Sequence, residues 1–349
     1  WDGNDVYTRL DDAVGMVANV GINQETPKND FDNAEIYKEM VDVTDTYGNK
    51  FVSIPKFYIK KIVTGDVWEW RISKDKKDKD YYLPSCFYDE VKSEEIPYIL
   101  VGKYDASETG GKLESKTGVK PLANQNINTF RNYAKANNVG DKTGYQLLDI
   151  HALDAIQVLF YIEFATLNSQ TIMYGYANAN PESIVSGTTD AVKASSGSKT
   201  SNTDGKNAMK YRGIENIYGN MWQFIDGVNI DNTNSYFYTC KDASKYASDI
   251  INGNYTKVGY NKLNTNGWVT KMGYDPANPF LQMPIANGGT SDVKYGDNYY
   301  QNATQANKGL LFGGAWNAAS ADGISYFDLS FSSTNSVSHV GARLLKTAF

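Results

Sequence analysis

The segment that most constrains this chain's fold is one helical stretch near its middle. Leu153, Ile156, Leu159, Phe160, Phe164 and Leu167 recur three and four residues apart, one broad apolar stripe on a helix, and Asp149 stands at the N-cap. A shorter helix is expected over 129–137, with Phe130, Tyr133 and Ala134 on one face. Other signals are of strand length. Residues 51–61 are aromatic and β-branched but interrupted by Pro55, 67–73 alternate apolar and polar residues, and 97–104 are a third candidate. The mixed charges of 74–80 read as a solvated hairpin tip, and 178–207 have the composition of a flexible surface loop. After Met209 come short strands and turns with no repeat of fixed period. The chain reads as α+β, irregular and loop-rich, with short strands and two helices. Residues 1–44 lack a clear period and read as an N-terminal arm or connector, with 45–349 as the domain.

Composition removes several functions. At a formal net charge of −6 the chain lacks the basic face that phosphate binding needs, so nucleic acid is not an expected partner. No apolar run approaches 18 residues, so no membrane insertion is expected. The chain opens on Trp1 and not Met, which reads as a fragment or processed form, so a missing signal peptide is uninformative. Cys86 and Cys240, distant and without CxxC spacing, read as unpaired thiols. There is no GxxxxGK[ST], helix-opening GxGxxG, HExxH or GxSxG. Of the two histidines, His151 reads as structural and neither has companions for a zinc site. Glu163, near the apolar stripe, reads as a buried, hydrogen-bonded carboxylate. Loops such as 226–234 are rich enough in Asp and Asn for a structural calcium, but EF-hand spacing is absent; no metal and no cofactor is predicted.

The last stretch, 310–344, has two characters. Leu310 to Phe312 and Val340 to Leu344 are short apolar runs bordered by glycine. Gly313 and Gly314 permit a turn or close approach, Trp316 is a natural anchor, and Arg343 among apolar neighbours needs an acceptor. Between them, 317–340 contain no Lys, Glu, Gln, Met or Trp, although those five types supply 63 of the 349 residues. At that frequency a gap of that length has a chance of about one in a hundred. Small hydroxyl and amide residues with aromatics are the palette of adaptable binding loops.

Two motifs then carry a family resemblance. Residues 218–226, YGNMWQFID, resemble the G-N-V-W-E-W…D segment of the formylglycine-generating-enzyme branch of the C-type lectin fold. LFGGAW at 311–316 with VGARL at 340–344 resembles that branch's closing R-G-G-S-W…G-F-R-L, and YQLLD at 145–149 is more loosely similar to its helix entry. The motifs come in family order and cover roughly 45–349. The enzymes of that branch need a reactive cysteine pair near the end, and here the last cysteine is Cys240.

A framework enclosing a Ser-, Tyr-, Asn- and Asp-rich interior is similar to the variable proteins of diversity-generating retroelements, among them phage and prophage tail receptor-binding proteins and bacterial surface lectin-fold proteins. In that family template adenines are mutagenised, mostly in Asn codons ending in a pyrimidine, which never become Lys, Glu, Gln, Met or Trp codons. The N-terminal part also looks like phage and prophage tail proteins.

The resemblance implies a C-type-lectin-like ligand-binding domain over 45–349 with a variable region at about 313–344. Its expected contact positions are Ala315, Asn317, Ser320, Asp322, Ser325, Tyr326, Asp328, Ser330, Ser332, Ser333, Asn335, Ser338 and His339, with Gly323, Leu329 and Phe331 facing inward. Its expected framework is Gly219, Trp222, Gly313, Gly314, Trp316, Gly341 and Arg343. The expected function is non-enzymatic binding of a protein or glycan on a bacterial surface, from a phage tail tip or a bacterial surface, with a trimer or tail proteins as assembly partners. The alternatives are an enzyme of the formylglycine-generating type, disfavoured by the missing cysteines, and a structural virion or adhesin domain without a variable site.

Overall fold

The computed structural model describes residues 1–347 apart from 5, 293 and 303–307. Its elements needed here are strands β1 (Lys50–Pro55) and β2 (Tyr98–Gly102), helix α1 (Ile127–Lys135), strand β3 (Tyr145–Leu147), helix α2 (Ile150–Phe164), and strands β4 (Trp222–Asp231), β5 (Asn298–Gln301), β6 (Lys308–Phe312), β7 (Phe327–Leu329), β8 (Val340–Gly341) and β9 (Leu344–Lys346). The mixed α+β class read from the sequence is the one the chain adopts.

Asp149 caps α2 as expected, its Oδ1 accepting the Ala152 N–H at 2.8 Å. The helix departs from the expected single stripe: every residue except Ile162 is buried. It packs on β4, on the strand Val67–Ser73 and on the turn Ser85–Phe87, so no face is left for water. Its polar residues therefore need internal partners. His151 meets the Cys240 carbonyl at 3.1 Å, Tyr82 donates to Asp154 at 2.6 Å, and Glu163 pairs with Arg212 at 2.6 Å. Two more partners lie in the terminal window: Gln157 Nε2 donates to the Ile324 carbonyl at 2.6 Å, and the Tyr161 and Ser325 hydroxyls are 2.8 Å apart.

The chain end is woven into the first half. In a five-stranded antiparallel sheet the order is β3, β9, β2, β1 and Val41–Thr44. In the larger sheet β6 runs antiparallel to β4 and to β7, β5 runs parallel to β7, and β8 runs parallel to the start of β4. Side chains alternate across this sheet. Leu310, Phe312, Phe327 and Leu329 enter the core around α2, whereas Trp222, Phe224 and Leu311 enter a second core under α1.

Pro55 ends β1, and the chain resumes as the hairpin Tyr58–Thr64 with Val67–Ser73. The turn of that hairpin is at 65–66 and not at the charged 74–80, because seven successive cross-strand pairs lock the earlier register. Residues 1–44 hold mainly short turns, yet Phe31, Ile36 and Tyr37 are buried in the main core and Val41–Thr44 pairs with β1. Cys86 and Cys240 are buried free thiols.

Candidate ligand-binding surface

The framework is built from the ends of the window inward. Arg343 is 0% exposed, and its guanidinium reaches five acceptors: Gln223 Oε1 at 2.9 Å, the Gly102, Glu215 and Asn216 carbonyls at 2.8–2.9 Å, and Asp105 at 3.0 Å. Asp105 also accepts from Asn220 Nδ2 at 2.7 Å, so one buried network joins the last strand to the YGNMW segment. That segment holds both flanks of the window. Gly219 N–H donates to the Gly313 carbonyl, Trp316 N–H to the Asn220 carbonyl and Trp222 N–H to the His339 carbonyl, each at 3.0 Å. Gly341 lies opposite Gln223 in the β4–β8 pair. Gly314 has φ +84°, and a Cβ there would stand 1.7 Å from Asp322 Oδ1. At Gly313, φ +92°, a Cβ would meet the Tyr218 backbone at 3.2 Å, a tight contact and not an overlap.

The expected contact positions divide in two. Asn317 and Ser338 are exposed, and Ser320, Ser330, Ser332, Asn335 and His339 are half-buried. Ala315, Asp322, Ser325, Tyr326, Asp328 and Ser333 are buried, which corrects the expectation that they offer a face to a ligand. Each has an internal reason. Ala315 sits in the second core, Ser325 meets Tyr161, and Ser333 Oγ donates to Asp249 at 2.5 Å. Tyr326, 9% exposed, lays its ring 4.5 Å from that of Trp222. Asp328, 6% exposed, accepts the Ser330 N–H at 2.6 Å; burial outweighs that bond and pushes its carboxyl up to about 6. Asp322 has another environment, taken up below. Gly323 and Leu329 face inward as expected, but Phe331 is only half-buried.

What reaches the surface is an aromatic shelf with a polar rim. Half-buried Trp316, Phe331 and Val337 pack against the cluster that holds Trp222 and Tyr326. The His339 ring stands edge-on to Phe331 at 6.1 Å, and burial holds its pKa below the usual imidazole value. Tyr300 extends the shelf. In the β5–β7 pair it lies opposite Asp328, on the face away from buried Tyr299, and it is 46% exposed. The reading of the window alone missed Tyr300, although the sequence Asn-Tyr-Tyr-Gln forces one tyrosine out when the other goes in. Trp316, expected as framework, is half-buried and so also stands at the surface.

Such a surface offers contact area and hydrogen bonds. Among the described residues no cluster of three or more His, Cys, Asp or Glu is placed to hold a metal ion. The expected 226–234 loop is instead largely strand, since 226–231 belong to β4, and its carboxylates are engaged: Asp226 takes Arg131 at 2.8 and 3.0 Å, and Asp231 accepts the Thr233 and Asn234 N–H groups. A cavity of about 600 Å³ lies away from the window, lined by Trp1, Tyr7, Arg9, Trp68, Trp70 and Tyr161 among others. No described helix is long and apolar enough to cross a membrane.

No protein-family model matches the chain, and no curated protein matches its sequence. Solved structures do. The chain is similar to Treponema denticola variable protein 1, at 11% identity and a TM-score of 0.38, over 88% of this chain and 99% of that one. It is also similar to the U1 and M1 variants of the Major Tropism Determinant, each at 10% identity and a TM-score of 0.25, over 88% and 92% of this chain and 86% of each of theirs.

Proposed function

We propose that this chain is a hypervariable ligand-binding protein on a C-type-lectin-type scaffold, diversified by a retroelement, that recognises a protein or glycan on a bacterial surface. It acts from a phage or prophage tail tip or from a bacterial surface, and 45–349 is its binding unit. One observation carries the reading. The exposed positions of the window, Asn317, Thr334, Ser336 and Ser338, carry hydroxyl and amide side chains, while its flanks are held by the Asn220 and Trp222 backbone and the chain end by the Arg343–Asp105–Asn220 network, all outside 317–340. Side chains can then vary without loss of the fold. The open shelf of Trp316, Phe331 and Tyr300 suits a broad polymer or protein surface better than a small molecule, which is usually enclosed.

Ligand contact is assigned to Asn317, Ser320, Ser330, Ser332, Asn335, Ser338 and His339, with Tyr300 and Trp316 added. The test is sequencing of the gene's 3′ end across isolates of one lineage, paired with adsorption of purified protein to a panel of bacterial strains. Substitutions concentrated at those codons, and adsorption lost in an Asn317→Ala/Ser338→Ala/Tyr300→Ala variant that melts like wild type, support the proposal. A window as invariant as 140–170 would leave a fixed virion or adhesin domain instead.

A further inference from the structure

Nearly every buried carboxylate in this fold has an evident partner. Asp105 faces Arg343, Asp154 faces Lys61, Glu163 faces Arg212 and Asp226 faces Arg131. Asp149 caps α2, and Glu215 accepts the Gly187 and Thr189 N–H groups at 2.8 and 2.7 Å. Asp297 and Asp322 break the pattern. Both are 0% exposed. The one donor acting on Asp322 is the backbone N–H of Ala315, and on Asp297 only Oδ2 has a partner, the Ser325 N–H at 2.6 Å, which leaves Oδ1 without one.

The two carboxylates are neighbours. Asp297 Oδ1 lies against Gly323, the residue after Asp322, where a Cβ would come within 2.0 Å of it. Asp322 Oδ1 occupies the corresponding space at Gly314. Two glycines therefore make room for two carboxylates that are short of donors. Burial pushes both carboxyls well above the usual range, and the Asp297 charge pushes Asp322 further. No lysine, arginine or histidine is among the groups that act on either.

A pair of buried carboxylates with no opposite charge beside them is among the most unfavourable arrangements a core can hold. The missing charge is two positive units, and the donors are hard oxygens with no nitrogen or sulfur among them. That combination selects calcium-class ions over zinc or copper. We propose that Asp297 and Asp322 together bind one divalent cation of the calcium class, with backbone carbonyls and water completing its shell. Asp297 precedes β5, which carries Tyr300, and Asp322 lies inside the variable window. The ion staples the two carriers of the shelf to each other. Two carboxylates are fewer than a dedicated calcium loop supplies, so the affinity falls in the weak range typical of extracellular modules, about 0.1–1 mM.

The inference is independent of what the shelf binds, and its test needs no target. The full chain is stripped with EDTA and melted with and without about 10 mM CaCl2, alongside the isosteric Asp297→Asn/Asp322→Asn variant. Calcium is expected to raise the wild-type Tm by several degrees and to leave the variant unmoved. Should the variant not fold, terbium added to wild type reports directly: emission sensitised by nearby Tyr218, and competed away by calcium, is expected. A wild-type Tm indifferent to both EDTA and calcium overturns the proposal. So does an equal shift in the variant, or a terbium signal that calcium does not displace. If metal has no effect and stability falls as pH rises from 5 to 8, the pair shares a proton and the cation is refuted.

Discussion

Replacing Tyr326 by alanine separates what the window contributes to the fold from what it offers a ligand. Truncating a buried large aromatic costs about 3–5 kcal/mol, the sum of lost transfer energy and the cavity left behind. Tyr326 retains 9% of its exposure and its main ring contact is Trp222 at 4.5 Å, which sets the expected loss near the lower end, about 3 kcal/mol. Unfolding entropy is about 2.1 cal/mol/K per residue, or about 0.7 kcal/mol per degree for 349 residues, so the Tm falls by about 4 °C. Asn317→Ala with Ser338→Ala touches two exposed side chains. Exposed sites usually stay within about 0.5 kcal/mol each, so that pair moves the Tm by no more than about 1.5 °C. Differential scanning calorimetry of the three proteins at one pH decides the matter, with strain adsorption measured on the same samples. A Tyr326→Ala protein that melts with wild type, or an Asn317→Ala/Ser338→Ala protein that melts several degrees lower, would refute the division into buried and contacting positions.

Three further outcomes are expected. Gly314→Ala should destabilise by more than about 2 kcal/mol, since it combines left-handed strain with a clash on Asp322, whereas Gly15→Ala, at φ +78° in open space, carries the strain alone and should lose about 1 kcal/mol. Urea melts of the two variants measure the difference. Arg343→Met should cost about 3–5 kcal/mol by leaving Asp105 buried without its cation, and adding Asp105→Asn should recover part of it, read from the same melts. Burial lowers the His151 pKa to about 4, below the ordinary 6.5. Its contribution is therefore complete above pH 6.5 and is lost as pH falls through 4, up to about 3 kcal/mol for 2.5 units. A His151→Gln variant should lose less stability than wild type between pH 7 and 4, and equal losses would refute this.

The sequence made the connected elements legible and the orientation of single side chains much less so. The α2 cap at Asp149, the strand break at Pro55 and the burial of Glu163 follow from local chemistry, and each is found. The burial of α2 on nearly every side was not legible from its stripe. What covers its polar face arrives from far away: Lys61 onto Asp154, Ile324 onto Gln157 and Arg212 onto Glu163. In the window, composition marked the segment but could not tell a serine facing water from one facing Tyr161. Ser325 and Ser338 are the same residue type, and their difference lies in β7 pairing with β5 and β6 next to Ser325. The partnership of Asp297 with Asp322 was equally hidden, because it depends on two glycines opening space between segments 25 residues apart.

The buried half of the window also bears on how such a surface can be diversified. A substitution at Asn317 or Ser338 changes only what a ligand meets. One at Ser325 or Asp322 must also satisfy Tyr161 or the Asp297 carboxylate, and one at Tyr326 must refill the space against Trp222. Variation over the same stretch therefore has two consequences, new contacts at the rim and new support beneath the shelf. Most changes in the second group lower stability. Tolerance has to come from elements that do not change, above all the Arg343 network, which ties β9 to the YGNMW segment without using any side chain from 317–340. A protein built this way keeps its fold when the rim is rewritten and loses it when that network is cut.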